Sequence, residues 1–548
     1  MLHGKTAFVL RGMILLVSPA WLASCSSVNP PPSVDAPGAR VETASPADPT
    51  GAESPQGSDP NATVRAEGPL RLGVQDAILL AMENNPSLVV EKMNPQIMRT
   101  FEQQQRAIFD PVIIAEGSSR RILADRLGRA GSSTESSTVD AATGVISLAK
   151  LFPTGTTVGL EGSTTYTDSS LYSDTFTANR LGLTVTQALL QGRDVRANMA
   201  RVDQARLDAL ISEYELRGFM ELLVEQVESK FWDYALARRQ IEIYTDSLAL
   251  AEKQMAEIQE RITWGNLAET ELAAAQAEVA LRRENLINAR SRLAKERLEL
   301  LRLVDSPLEI DWDRDIILEY DTAPPEAELD AVEDHVEVAL RMRPDMNQAR
   351  LHVQRGDLEI VRTRNGLLPR MDAFITFGKT GYADTFPKAA SNIGGDSYDA
   401  SFGVIFQDTW GHRAARAEHT RAVVGARQVR EALKNLAQLV QVDVRSGYVE
   451  VLRAREQITA TAATRSFQEE KLRAETEKFR VGKSTSLLVG QAQRDLVASQ
   501  IAEIEALANY VKALAALYRM EGSLLQRRGI AAPGGQPVTL GSRIERVR

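Results

Sequence analysis

The chain is nearly devoid of cysteine, with one, Cys25, among 548 residues. An intrachain disulfide is therefore impossible, and a thiolate metal cluster is excluded. Aromatic residues make up only 5% of the sequence, little for an enzyme built around a large core. Positive charge is not in excess. The formal net charge of −9 excludes a broadly basic nucleic-acid binder. After the N-terminus no apolar run is long enough for a transmembrane helix, so crossing a membrane would require a closed β-barrel. Signatures of catalysis are also missing. We find no nucleophile elbow, no metal-binding helix motif and no cofactor fingerprint. His412 and His419 lie seven residues apart on one helical face. No third ligand converges on them, so solvated side chains are expected there.

What the N-terminus does contain is specific. Lys5 and Arg11 precede a short apolar run at 12–23, and Leu22-Ala23-Ser24-Cys25 then matches a bacterial lipobox. Residues 1–24 read as a signal peptide and Cys25 as a lipid-bearing N-terminus. Nine of the 22 prolines fall within 28–69, among many Ser, Ala, Asp and Gly residues. Such a segment cannot bury enough apolar surface to fold, so 25–69 reads as a disordered tether.

The rest is written twice. The stretch around Ala81-Met82-Glu83-Asn84-Asn85-Pro86 reappears around Pro344, and Phe109-Asp110-Pro111 reappears as Leu367-Leu368-Pro369, both at an offset of 258 residues. Gly265 pairs with Gly482 at an offset of 217, so the first copy holds 41 extra residues. Residues 70–304 form repeat one, 305–330 an inter-repeat segment, 331–527 repeat two and 528–548 a tail. Alternating apolar and polar residues predict two principal strands in each copy. Those of the second copy are 371–379 and 398–407. The first copy ends its pair at 180–188 and adds a hairpin at 145–151 and 156–166, turned by Pro153-Thr154-Gly155. Residues 125–142 and 381–396 read as polar loops.

Long helices follow each strand set. Met220, Val227, Tyr234, Ile241, Leu248, Met255 and Ile262 recur at intervals of seven, a coiled-coil period. Residues 193–263 and 411–481 would each run about 100 Å as continuous helix. Helices of half that length are expected at 72–109, 268–304, 331–368 and 484–526, so that two stacked end to end match one long helix. The segment Gly482-Lys483-Ser484-Thr485 resembles the end of a phosphate loop, but Glu477 stands where that motif needs glycine. Gly265 and Gly482 instead mark reversals between a long helix and its return. Ser484, Thr485 and, in the first copy, Asn266 are candidate caps for the returning helix.

Four to six strands cannot close a barrel around a channel, so strands must come from several chains. At this point the sequence resembles the TolC-like outer-membrane efflux family, over roughly 70–527. The carriers are the two proline motifs in each copy and the tips Trp264-Gly265-Asn266-Leu267 and Val481-Gly482-Lys483-Ser484. The resemblance implies a mainly α-helical homotrimer, whose periplasmic helical barrel continues into a 12-stranded transmembrane β-barrel in the outer membrane. It implies a lipid-anchored conduit, serving tripartite efflux or type I secretion. Its tips at Gly265, Asn266, Leu267, Gly482, Lys483 and Ser484 would dock on a periplasmic adaptor (a membrane fusion protein) bound to an inner-membrane transporter. The inter-repeat segment and the tail would form a band at the waist. The family often carries gate aspartates where this chain has Leu488 and Gln491. Glu271 matches an acidic gate position, and its usual tyrosine partner falls on Phe479. A gate resting on apolar packing is therefore expected. A lipid-anchored adaptor or a coiled-coil scaffold without channel activity is the competing reading, and the added hairpin could lie in the barrel or cap it.

Overall fold

The computed structural model describes residues 69–127, 134–170, 174–265, 267–305, 311–320 and 329–539. Cys25, the tether and Asn266 lie outside the described residues. Repeat one runs β1 (Leu70–Leu72), α1 (Val74–Asn84), α2 (Pro86–Arg106), β2 (Val112–Leu127), β3 (Thr134–Leu151), β4 (Thr156–Ser169), β5 (Phe176–Ala188), α3 (Val195–Thr263) and α4 (Thr270–Val304). A short strand β6 (Ile316–Leu318) pairs in parallel with β1. Repeat two runs α5 (Val332–Met342), α6 (Pro344–Asn365), β7 (Arg370–Ala383), α7 (Phe386–Ser391), β8 (Tyr398–Gln407), α8 (Arg413–Arg480), α9 (Ser486–Met520) and α10 (Leu524–Arg527).

Two single helices expected at 72–109 and 331–368 are each broken once. The residue before a proline is pushed out of the α region. Asn85 (ψ 118°) and Arg343 (ψ 129°) adopt extended geometry, and Pro86 and Pro344 then start α2 and α6 at a position where no N–H is needed. Asn85 also caps α2, its side-chain oxygen accepting from Ser87 N and Leu88 N.

Six strands form one sheet in the order β2-β3-β4-β5-β7-β8, each antiparallel to its neighbours. The region read as a loop at 125–142 is largely strand, where the outer halves of β2 and β3 pair from Ser119↔Ala142 to Leu127↔Thr134. The region 381–396 holds the end of β7 and the short helix α7. The hairpin added in the first copy, β3–β4, lies in this sheet between β2 and β5.

α3 and α8, of 69 and 68 residues, are continuous helices, each about 100 Å long. α2 lies along the first half of α3, through Arg99–Glu213 (2.7 Å) and Arg206–Glu102 (3.3 Å). α4 lies along the second half, through Lys230–Glu296 (3.1 Å) and Arg283–Glu252 (2.8 Å). The two half-length helices meet where Asn84 Nδ2 and Asn85 Nδ2 donate to the carbonyls of Val304 (3.1 Å) and Leu303 (3.4 Å). These are C-terminal carbonyls that α4 leaves without an internal partner. In repeat two Gly522 (φ +73°) follows α9 and packs on Arg343, where a Cβ would stand 2.8 Å from the Arg343 Cα.

The densest packing is at mid-height of the long helices. One cluster gathers Leu72, Leu88, Val227, Phe231 and Leu300; the other gathers Val440, Val444, Val451, Leu514 and Leu517. The end of the chain is fastened nearby. Arg217 Nη1 donates to the Gly534 carbonyl (3.0 Å), and Val538 N donates to Asn347 Oδ1 (2.8 Å).

Candidate conduit wall and helix tips

In a strand, neighbouring side chains point to opposite faces, and residues paired across strands share a face. The register therefore sorts the sheet. One row crosses five strands as Ile113, Leu148, Leu160, Leu183 and Phe377, all exposed. A neighbouring row on the same face holds Val158, Val185, Ile375 and Phe402. The opposite face has a small and polar row of Ala149, Gly159, Thr184, Thr376 and Ser401, and holds Ile114, Phe374 and Ile405 in the rows beyond. Beside it Arg180 crosses Gly182 and Gly378 to reach Asp399 (2.7 Å) and approach Glu161 (3.8 Å). Side chains at both glycines would collide with the guanidinium. Sequence reading did not find this bridge, because its residues lie on three strands joined only by register.

The sheet and the tips stand a full helix apart, since α3 and α8 leave the last strand of each copy and end at Gly265 and Gly482. Both glycines take positive φ, +72° and +76°. At Gly482 the reversal is a Schellman turn: Gly482 N donates to the Phe479 carbonyl (3.1 Å) and Lys483 N to that of Lys478 (2.7 Å). Thr485, not Ser484, caps α9, with its hydroxyl accepting from Leu488 N (3.4 Å). Ser484 instead donates to Glu475 (2.8 Å). Lys478 and Ser484 together hold the Glu475 carboxyl below its ordinary range. Gly265 and Lys483 are exposed and Leu267 is half-buried. Trp264 is 74% exposed, and Val481 and Leu487 are also exposed.

At the residues expected to form a gate, contacts cross between the two hairpins. Glu271, in the first turn of α4, accepts from the Ser486 hydroxyl at the start of α9. The Phe479 ring lies 5.5 Å from the guanidinium of Arg261. Arg261 and Phe479 therefore join α3 to α8, while Glu271 and Ser486 join α4 to α9. Between the two hairpins lies a cavity of about 110 Å³ lined by Ile258, Arg261, Ala275, Phe479, Val489 and Arg494. Leu488 and Gln491 are exposed, three residues apart on α9. Arg261 and Ser486 carried no sequence signal of their own, being ordinary helix-surface residues whose partners are on other helices. His412 lies by Asp408 (3.0 Å) and His419 by Thr363 (3.1 Å). Among the described residues no group of three or more metal-ligating side chains gathers, and no helix is long and apolar enough to cross a membrane.

Comparison with known proteins agrees with this architecture. The family model described as "Outer membrane efflux protein" matches residues 78–305 and 336–523. A search among curated proteins returns no match. Among solved structures the chain is similar to CusC (16% identity, TM-score 0.61), covering 82% of this chain and 92% of that one. It is similar to a membrane protein from Pseudomonas aeruginosa (19%, 0.62, covering 82% and 93%). It is also similar to the open state of the Neisseria gonorrhoeae MtrE outer membrane channel (16%, 0.56, covering 82% and 89%). With both repeats matched and the same fold recovered over most of its length, the chain belongs to the outer membrane efflux protein family, whose members are passive channels and not enzymes.

Proposed function

We propose that three copies of the chain assemble into an outer-membrane conduit with a long periplasmic portion, anchored by lipid on Cys25. One observation carries the reading. A six-stranded sheet whose one face is apolar leaves β2 and β8 without outer partners among the described residues. Unpaired edges are not tolerated in lipid. Because the strand number is even and every pair antiparallel, β8 of one copy runs opposite to β2 of the next, and cyclic closure continues the ladder without a break. The apolar face then meets the acyl chains and the opposite face lines the lumen.

The exposed tips around Trp264-Gly265 and Gly482-Lys483 are the docking points for an adaptor of a tripartite efflux or type I secretion assembly. Trp264, Val481 and Leu487 give that surface apolar anchors of the kind that dominate binding energy. Planar-bilayer recording of the purified full chain tests the conduit: discrete single-channel steps are expected, and a protein that binds the membrane without conducting leaves the scaffold reading instead. Photo-crosslinking from Lys483 in cells is expected to capture a periplasmic adaptor. Metabolic labelling with a palmitate analogue is expected to mark the native chain and to be lost in Cys25→Ser.

A further inference from the structure

The extra β3–β4 hairpin of the first repeat lies within the six-stranded sheet, and two independent features make it continuous with its neighbours. The first is register. Leu148 of β3 and Leu160 of β4 sit in the same apolar row as Ile113, Leu183 and Phe377, and Val158 sits beside Val185 in the next. Their opposite faces carry Ser147 and Ser163, on the polar side with Thr184. A hairpin folded over the mouth as a cap would have no reason to continue both faces of its neighbours row by row. The second is its turn. Gly155 (φ +75°) sits against the strand-to-helix junction, where a Cβ would stand 2.1 Å from the Gly192 carbonyl. Asn198, in the first turn of α3, donates to the Pro153 carbonyl (2.7 Å) and the Gly192 carbonyl (2.6 Å). The turn is thereby fastened at the end of the sheet that faces the helices, and both strands run from there through the full height of the apolar band.

We infer that the assembled channel is an eighteen-stranded barrel, six strands from each of three chains. The inference rests on the proposed trimeric conduit and adds its bore. Barrel diameter grows roughly linearly with strand number, and sixteen to eighteen strands leave an open aqueous channel. The exit is therefore about one and a half times as wide as twelve strands give. The face turned to the lumen carries Ser147, Ser163, Thr184 and Thr376 together with charged side chains, Glu116 and Arg120 on β2 and the Arg180–Asp399 bridge, and with Ile114 and Ile405 among them.

Spin labels on single introduced cysteines test the wall directly, with the unsubstituted chain giving the background from Cys25. In vesicles, labels at Leu148→Cys and Leu160→Cys are expected to relax with oxygen and not with a water-soluble nickel chelate, as labels at Leu183→Cys and Phe377→Cys do. Labels at Ser147→Cys and Ser163→Cys are expected to respond to nickel. Water access at 148 and 160 with lipid access at 183 and 377 overturns the eighteen-stranded barrel. Water access at all four overturns the conduit itself. The bore is read by exclusion of neutral polyethylene glycols entering from the outer face. Removing 134–169, which lets β2 pair with β5, is expected to shrink the limiting polymer diameter by about a third. An unchanged limit overturns the wide bore, and if the shortened chain fails to insert, the labels decide.

Discussion

Glycine at a positive φ does different work at different places in this chain. At Gly482 nothing lies within 4 Å of where a Cβ would be. Only the backbone conformation resists a side chain, at about 1–2 kcal/mol. Gly482→Ala is expected to leave the channel assembled while loosening the tip, seen as faster amide exchange over 478–486. At Gly155 the same substitution meets a carbonyl oxygen, and Gly155→Ala is expected to disrupt strand assembly. Equal damage at the two sites, measured by membrane-inserted yield, would contradict this. Glu221 offers a second residue-scale test. Burial pushes its carboxyl up to about 7, against the opposing pull of Arg217 and Arg519 and with a small push from Asp345. Arg217 stays satisfied when Glu221 is protonated, because it also donates to the carbonyls of Gly522 and Gly534, each at 3.0 Å. A raised folded-state pKa means that the folded chain holds a proton the unfolded chain releases. Its stabilising contribution is complete below about 4.5 and is lost as pH rises through about 7, on the order of 3 kcal/mol in all. Glu221→Gln is expected to flatten that fall in denaturant titrations between pH 5 and 8.

At the scale of elements, the two helical hairpins are clasped at their tips by Arg261 with Phe479 and by Glu271 with Ser486. An exposed cation–π contact is worth about 0.5–1 kcal/mol, so Arg261→Ala is expected to raise the resting open probability about two- to fivefold. No rise in bilayer recordings would show that the clasp does not hold the gate. Leu488 and Gln491 place no carboxylate beside it. Divalent cations are accordingly expected to block weakly, and Leu488→Asp with Gln491→Asp is expected to create block; strong block in the native chain would contradict the assignment. The long helices, their reversals at Gly265 and Gly482, and strand β8 could be read from sequence, because heptads, glycine and alternation are local signals. The outer halves of β2 and β3 could not. Thr134 to Thr138 is polar at every position, and these strand ends pair beyond the rows that carry the apolar face, so alternation is absent. The gate was half legible. Its positions followed from the tips, while the partners of Glu271 and Phe479 depended on how four helices pack.

At the scale of the whole molecule, the single chain leaves a consistent set of surfaces unfinished. Among the described residues β2 and β8 lack outer partners. Along α8, Leu439, Val442 and Val449 are exposed, the last two 61% and 63% and seven residues apart on one face. Seven residues is the coiled-coil repeat, so this stripe presents a straight apolar seam to whatever lies beside it. In the mean, α8 is a polar helix with buried residues such as Val440, Val444 and Val451 on the side facing its own chain, so the exposed stripe is a second, separate face. A helix apolar on two sides needs two neighbours. The chain supplies one, and in the proposed ring the adjacent copy would supply the other. Val442→Glu with Val449→Glu would leave the chain's own core untouched and charge only that outer seam. The pair is expected to convert trimer to monomer in native mass spectrometry of detergent-extracted protein while far-ultraviolet circular dichroism keeps its helical signal. A trimer of unchanged resistance to denaturant would show that the stripe faces something other than a second copy, and would remove the helical half of the argument for cyclic assembly while leaving the strand half standing.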